Sequence, residues 1–174
     1  MIIWLILITL IVTGGLLVMR WLKKPILYRG VTAEAFPKFI DGMMAQGGNG
    51  FLLFFEHEGS DRFLQFAKYI EGQNRTNLHF GFPLAPWSAI YYDQLKEKLV
   101  AEGFTCDERE TGEEVVTRFL RVDYIRDGQE ASRLASLAIE VLGIDKRDKF
   151  TAHYEGPLSL EEWKRYEKAR KAKA

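Results

Sequence analysis

The sequence predicts an α+β protein: an N-terminal transmembrane helix, then a two-layer domain in the order α-β-β-β-α-β-β-α with an antiparallel sheet, then a charged C-terminal helix. Three observations carry this expectation. Residues 2–22 are apolar and uncharged as far as Arg20. Between residues 32 and 144, segments with apolar residues at helical spacing alternate with short aromatic or two-residue-period segments. The breaks between them are short turns rich in Gly, Asn and Asp, which join antiparallel neighbours. The expected divisions are an anchor over 1–24, a linker over 25–31, the α+β domain over 32–144 and a charged extension over 145–174.

The chain has 174 residues, of which 47% are hydrophobic, 28% charged and 13% aromatic. That length suits one domain with appendages, and the composition can build a core outside the apolar segment. The formal net charge of +0 argues against a nucleic-acid partner, for which a basic surplus is expected. The neutrality has a layout. Arg20, Lys23, Lys24 and Arg29 follow the apolar segment, and six bases against three acids follow Leu160, so the middle of the chain is acidic. Basic ends suit a domain beside an anionic leaflet; a solvated helix face would give the same tail.

From Ile2 to Met19 no residue is charged, and extension to Leu22 reaches the roughly 20 residues that cross about 30 Å of hydrocarbon. Trp4 and Trp21 stand near its two ends, where amphipathic rings favour the interface. A cleaved signal wants a basic n-region and a small-residue cleavage site. Met1 is followed at once by Ile2, Ile3 and Trp4, and the segment ends without an A-x-A site. The expectation is therefore a retained single-pass anchor, with the lipid bilayer as partner through residues 2–22 and Trp4, Arg20, Trp21, Lys23 and Lys24 at its interfaces. Flanking charge on the C-terminal side places the N-terminus outside and the domain in the cytoplasm, at the inner membrane.

Pro25 ends the anchor. Thr32 opens a helix with Phe36, Phe39, Ile40, Met43 and Met44 at helical spacing, and Gly47-Gly48-Asn49-Gly50 closes it. Phe51–Glu58 reads as a strand, and Glu58-Gly59-Ser60-Asp61 as a turn. Residues 62–69 fit a returning strand or a short helix, and the short turn with its aromatics favours the strand. Leu78, Phe80 and Phe82 alternate with His79 and Gly81, the period of a third strand. Ser88 begins a helix with Tyr91, Tyr92, Leu95 and Leu99 on one stripe, ended by Gly103. Phe104–Glu110 and Thr117–Ile125 form a hairpin. Asp127 with Glu130 opens the last core helix in capping-box fashion, and Gly143 ends it. Beyond it, Ser159 and Glu162 cap the charged helix to about Lys171.

The hairpin feeding a helix over Ala131–Leu142, with Arg62-Phe63-Leu64-Gln65-Phe66 and Phe119-Leu120-Arg121-Val122-Asp123 ahead of it, resembles the type III secretion chaperone-like fold and its bacterial chaperone-like relatives. The resemblance covers roughly residues 32–144 and rests on element order. It implies a protein-binding role without catalysis, and dimers are common in those families.

The chemistry-bearing residues give no catalytic constellation. His57 lies between Glu56 and Glu58, but strand neighbours point to opposite faces. His79 is on the third strand, and His153 is expected in the tail. No His-x-x-x-His or cysteine pair exists, and Cys106 is alone, so no metal or cofactor is expected. The acids at 107, 108, 110, 113 and 114 read as a solvated turn. Phe80, Phe82 and Trp87 lie in the most apolar loop outside the first 22 residues and are the candidate partner-binding residues; the competing reading packs Trp87 as a lid on the core. The expected function is a membrane-anchored adaptor or chaperone-like module with an unknown protein partner or a second copy of itself. A structural part of a membrane assembly, or a small-molecule or enzymatic domain, are the alternatives.

Overall fold

A computed structural model describes residues 26–156 apart from 46–47, 72–74 and 112–116. Its centre is a seven-stranded sheet, antiparallel throughout, in the order β1-β7-β2-β3-β4-β6-β5. The strands are β1 (Ile26–Val31), β2 (Phe51–His57), β3 (Phe63–Glu71), β4 (Arg75–Pro83), β5 (Cys106–Thr111), β6 (Thr117–Ile125) and β7 (Phe150–Glu155). Helices α1 (Phe36–Ala45), α2 (Ala89–Ala101) and α3 (Gly128–Val141) cover one face, and a single 3-10 turn at Ala33–Ala35 leads into α1.

Several expectations are corrected by this architecture. The described chain contains seven strands, not five. Residues 25–31, read as a linker, contain edge strand β1, and the extension from 145 contains β7, which inserts between β1 and β2. The sheet therefore needs residues on both sides of the expected 32–144 domain. Among the described residues no helix is long and apolar enough to cross a membrane, the longest having 14 residues. The transmembrane helix and the single-pass membrane description are accordingly not retained. Residues 2–22, with Trp4, Arg20, Trp21, Lys23 and Lys24, lie outside the described residues, as does the expected helix after Ser159.

The core forms because alternate strand residues point under the helices. Phe51, Leu53 and Phe55 of β2, Leu64 and Phe66 of β3, and Leu78, Phe80 and Phe82 of β4 are all buried there. Phe36 of α1 stacks on Phe55 at 3.9 Å and meets Phe150 edge-on at 5.0 Å, which ties the first helix to β2 and β7. Helix α1 carries Gly42 in its middle, where a side chain would meet the Tyr154 hydroxyl at 3.0 Å. That hydroxyl donates to the Phe39 carbonyl at 2.9 Å. The usual cost of a helical glycine is offset by this close strand-to-helix approach.

Polar groups settle the helix ends. Asp127 caps α3 by accepting from the Glu130 backbone N–H at 2.9 Å, as the sequence predicts. The Glu130 carboxylate reaches one residue further back than a capping box, to the Arg126 N–H at 2.8 Å. Ser88 behaves differently from expectation. Its hydroxyl donates to the Pro83 carbonyl at 2.5 Å and accepts from the Ala85 N–H at 2.8 Å, so it fixes the turn between β4 and α2 and makes no helix-capping bond. Lys68, buried on the helix side of β3, donates to the Met44 carbonyl at 2.8 Å, where the end of α1 favours a cation.

Candidate functional site

Strand register places the remaining residues on the face that none of the described helices covers, the helix-free face. Across the sheet, His153, Phe54, Gln65, Gly81, Arg121 and Asp107 are successive partners on β7, β2, β3, β4, β6 and β5. All of them point away from the helices, because their neighbours Leu53, Leu64, Phe66, Phe80, Phe82, Leu120 and Val122 fill the core. The parallel rows add Leu52, Ala67 and His79 on one side and Glu56, Phe63 and Phe119 on the other. The middle of this face is thus apolar and aromatic, with Tyr69 37% exposed and Leu52, Phe54, Phe63 and Phe119 partly exposed.

The candidate partner-binding residues do not meet on a surface. Phe80 and Phe82 are fully buried beneath the helices. Of the three, only Trp87 reaches solvent, and it packs against Phe82 at 5.5 Å and Phe63 at 5.3 Å. The apolar surface lies on the opposite side of the same strands, displaced by one residue in register.

At the β4–β6–β5 end of the helix-free face sits a buried polar network. Asp123 Oδ1 lies 2.5 Å from His79 Nδ1 and 2.9 Å from Arg121 Nη2, and Oδ2 lies 3.0 Å from Arg109 Nη2. Arg121 Nη2 also lies 2.9 Å from His79 Nδ1. A carboxylate oxygen 2.5 Å away requires the proton, so we assign the Nδ1–H to the Asp123 bond and Arg121 as a second donor to the same carboxylate. Asp123 then accepts from three donors at once. The His79 ring is held edge-on to Tyr69 at 4.7 Å, and its Nε2 is buried without a partner among the described residues. A histidine oriented by a carboxylate is the arrangement of a general base. Nε2 is itself closed off from solvent, and the hydrogen bonds of the network clamp β4, β6 and β5 together.

Next to the clamp the backbone is strained. Tyr124 is the one described non-glycine residue with positive φ, at 60°, where the register between β4 and β6 shifts. The bulge turns its ring outward, 58% exposed. It borders a cleft of about 610 Å³ lined also by Phe104, Cys106, Asp107, Asp123 and Glu130. The Asp107 and Glu130 carboxyls are held below the usual carboxylate range, by the Arg109 and Arg126 guanidinium groups respectively. Burial pushes the Cys106 thiol up, partly opposed by Lys96.

Histidines 57 and 153 take places that the sequence did not indicate. His57 Nδ1 is 2.8 Å from the Ser60 hydroxyl and Nε2 is 3.4 Å from Asp148. These are the residue types of a nucleophilic triad, but Ser60 also accepts from the Arg62 N–H at 3.4 Å within a tight turn. With Glu58 N–H bonded to the Lys149 carbonyl at 2.9 Å, the group ties the β2–β3 turn to the chain entering β7. His153, expected in the tail, stacks on Phe54 at 4.9 Å in the sheet, with Glu155 at 3.4 Å and Glu56 at 3.9 Å. Among the described residues no three His, Cys, Asp or Glu side chains are grouped to hold a metal ion. Comparison of the chain with known protein families, curated proteins and solved structures finds no match.

Proposed function

We propose that the chain is a protein-binding module of adaptor or chaperone-like kind, without a catalytic role, and that it docks its partner on the helix-free face of the sheet. The observation that supports this reading is the distribution of chemistry on that face. Leu52, Phe54, Phe63, Ala67, Tyr69 and Phe119 form its middle, and the charges of Glu56, Glu155, Arg109 and Asp107 lie toward its sides. A desolvated aromatic centre with a polar rim is the anatomy of a protein interface. An antiparallel sheet with one face in water ordinarily puts polar residues there.

The test is affinity capture with the full chain in mild detergent, comparing the native sequence with Phe54→Lys and Tyr69→Glu. Both positions lie on the helix-free face and outside the core, so the melting temperature stays within a few degrees while a near-stoichiometric partner is lost. A partner retained by both variants, or no partner at all, overturns the reading.

The cleft beside Tyr124 favours a second reading, a small-molecule site, because its volume falls in the range of ligand pockets and a strained residue stands at its rim. A ligand that raises the melting temperature of the native chain but not of Tyr124→Ala would support this reading over protein docking.

A further inference from the structure

Strand β5 is the outer strand on one side of the sheet, and among the described strands it pairs with β6 alone. Asp107 to Thr111 are all exposed, the ladder to β6 runs without a bulge from Cys106 to Thr111, and the strand contains no proline. A straight, exposed edge of this kind presents backbone N–H and C=O groups to which a further strand can add.

Charge decides which strand fits. Asp107 and Arg109 lie on the helix-free face, opposite Arg121 and Phe119, while Glu108 and Glu110 lie on the helix side. A second copy of β5, running antiparallel with Glu108 opposite Glu108, sets Asp107 of each copy against Arg109 of the other. Sliding by two residues either way sets Arg109 against Arg109, or Asp107 against Asp107. A slide of one residue turns the helix side of one copy toward the helix-free side of the other. Like charges directly opposite are unfavourable, so a single register is selected. At its centre the two Glu108 carboxylates meet, but each already has Lys96 Nζ at 2.6 Å and Arg118 Nη1 at 3.9 Å. Asp107 and Arg109 are 55% and 51% exposed in their side chains, so their pairs fix register more than they add strength.

We propose that two copies of the chain pair antiparallel through β5, about a twofold axis at Glu108, and join two seven-stranded sheets into one. The axis is perpendicular to the sheet, so the helices of both copies stay on one side and the two helix-free faces become continuous. The contact is one strand edge of six residues and belongs to the small, reversible class of interfaces. It does not depend on what the helix-free face binds.

The experiment uses the full chain in mild detergent, with Cys106→Ser removing its one native thiol, and introduces Asp107→Cys, Glu108→Cys or Arg109→Cys singly. In the proposed register Glu108→Cys faces its own copy at about 5 Å between Cα atoms, within disulfide reach. Two copies of Asp107→Cys, or of Arg109→Cys, stand about 8 Å apart, beyond it. Mild oxidation is expected to join Glu108→Cys chains at least about tenfold faster than either, at a rate that falls on dilution, and mixing Asp107→Cys with Arg109→Cys restores fast joining. Equal rates at the three positions, or no dimer from Glu108→Cys, overturn the proposal. Charge is tested in the Glu108→Cys chain. Asp107→Arg or Arg109→Asp, each alone, sets like charges opposite and slows joining about fivefold. A mixture of those two regains the rate, because every Arg then faces an Asp, and the recovery shows that both variants are folded. A mixture no faster than its components overturns the register and the proposal with it.

Discussion

Replacing Asp123 by Ala removes the one carboxylate that holds His79, Arg121 and Arg109 together on the helix-free face. The cost follows from its contacts. Asp123 and Arg121 are 14% and 18% exposed in their side chains, so the bonds to His79 and Arg121 are poorly replaced by water. Each such charge-assisted bond is worth about 1.5 kcal/mol when its partner is stranded. Arg109 is 51% exposed and its bond to Asp123 contributes less than about 1 kcal/mol. The expected loss is about 3 kcal/mol, or roughly 10 °C in melting temperature for a domain of this size. Asp123→Asn keeps one acceptor oxygen and costs about half as much. Urea titration of the full chain followed by circular dichroism measures both, with Asp107→Ala as the exposed control expected within about 0.5 kcal/mol of native. A value for Asp123→Ala indistinguishable from that control would refute the claim that this network fastens β4 to β6.

Other outcomes follow from the same geometry. Tyr124→Gly relieves a positive φ at a residue with little buried area, so it is expected to match or exceed native stability by up to about 1 kcal/mol, whereas Tyr124→Val loses about 1–2 kcal/mol by the same urea titration. Phe36→Ala empties a fully packed site against Phe55 and Phe150, and a loss of about 3–5 kcal/mol is expected in thermal unfolding. Glu130 has its folded pKa depressed by Arg126, so its contribution is present above the ordinary Glu range and is lost as pH falls through the folded value. Stability measured from pH 7 down to 3 is expected to fall less steeply for Glu130→Gln than for the native chain, and equal slopes would contradict the assignment.

The helices and the middle strands were legible because their signals are local. Phe36, Ile40 and Met43 at helical spacing, and Leu78, Phe80 and Phe82 at strand spacing, are the residues that the core buries. The 62–69 segment, ambiguous in sequence, is β3, where short turns on both sides leave room only for antiparallel pairing. The outer strands were not legible. β1 is six residues containing Arg29 and Gly30 directly after a proline, and it exists because β7 offers it an edge. β7 does carry an alternation, with Phe150 and Ala152 buried against the helices, but its charged surroundings read as a tail. The candidate site was misplaced for a related reason. Phe80 and Phe82 are the same residue type as Phe54 and close in character to Tyr69, and hydrophobicity alone cannot say which of two sheet faces the helices take.

The decision between the faces is nevertheless written in β2. A strand of an antiparallel sheet with one dry and one wet face alternates, and β2 does so only at its end, at Glu56. From Phe51 to Phe55 every residue is apolar, so Leu52 and Phe54 point away from the helices as bulky groups where solvent would select polar ones. The same side of β3 carries Phe63, Ala67 and Tyr69. His79 and Asn77 on β4, and His153 on β7, are each less than 10% exposed on a face that none of the described helices covers, with Tyr69 against His79 and Phe54 against His153. Between these buried groups on β7 and β4 lie the partly exposed apolar groups of β2 and β3. The half-exposed carboxylates of Glu56 and Glu155 flank those groups, and His153 is the described residue that each of them meets.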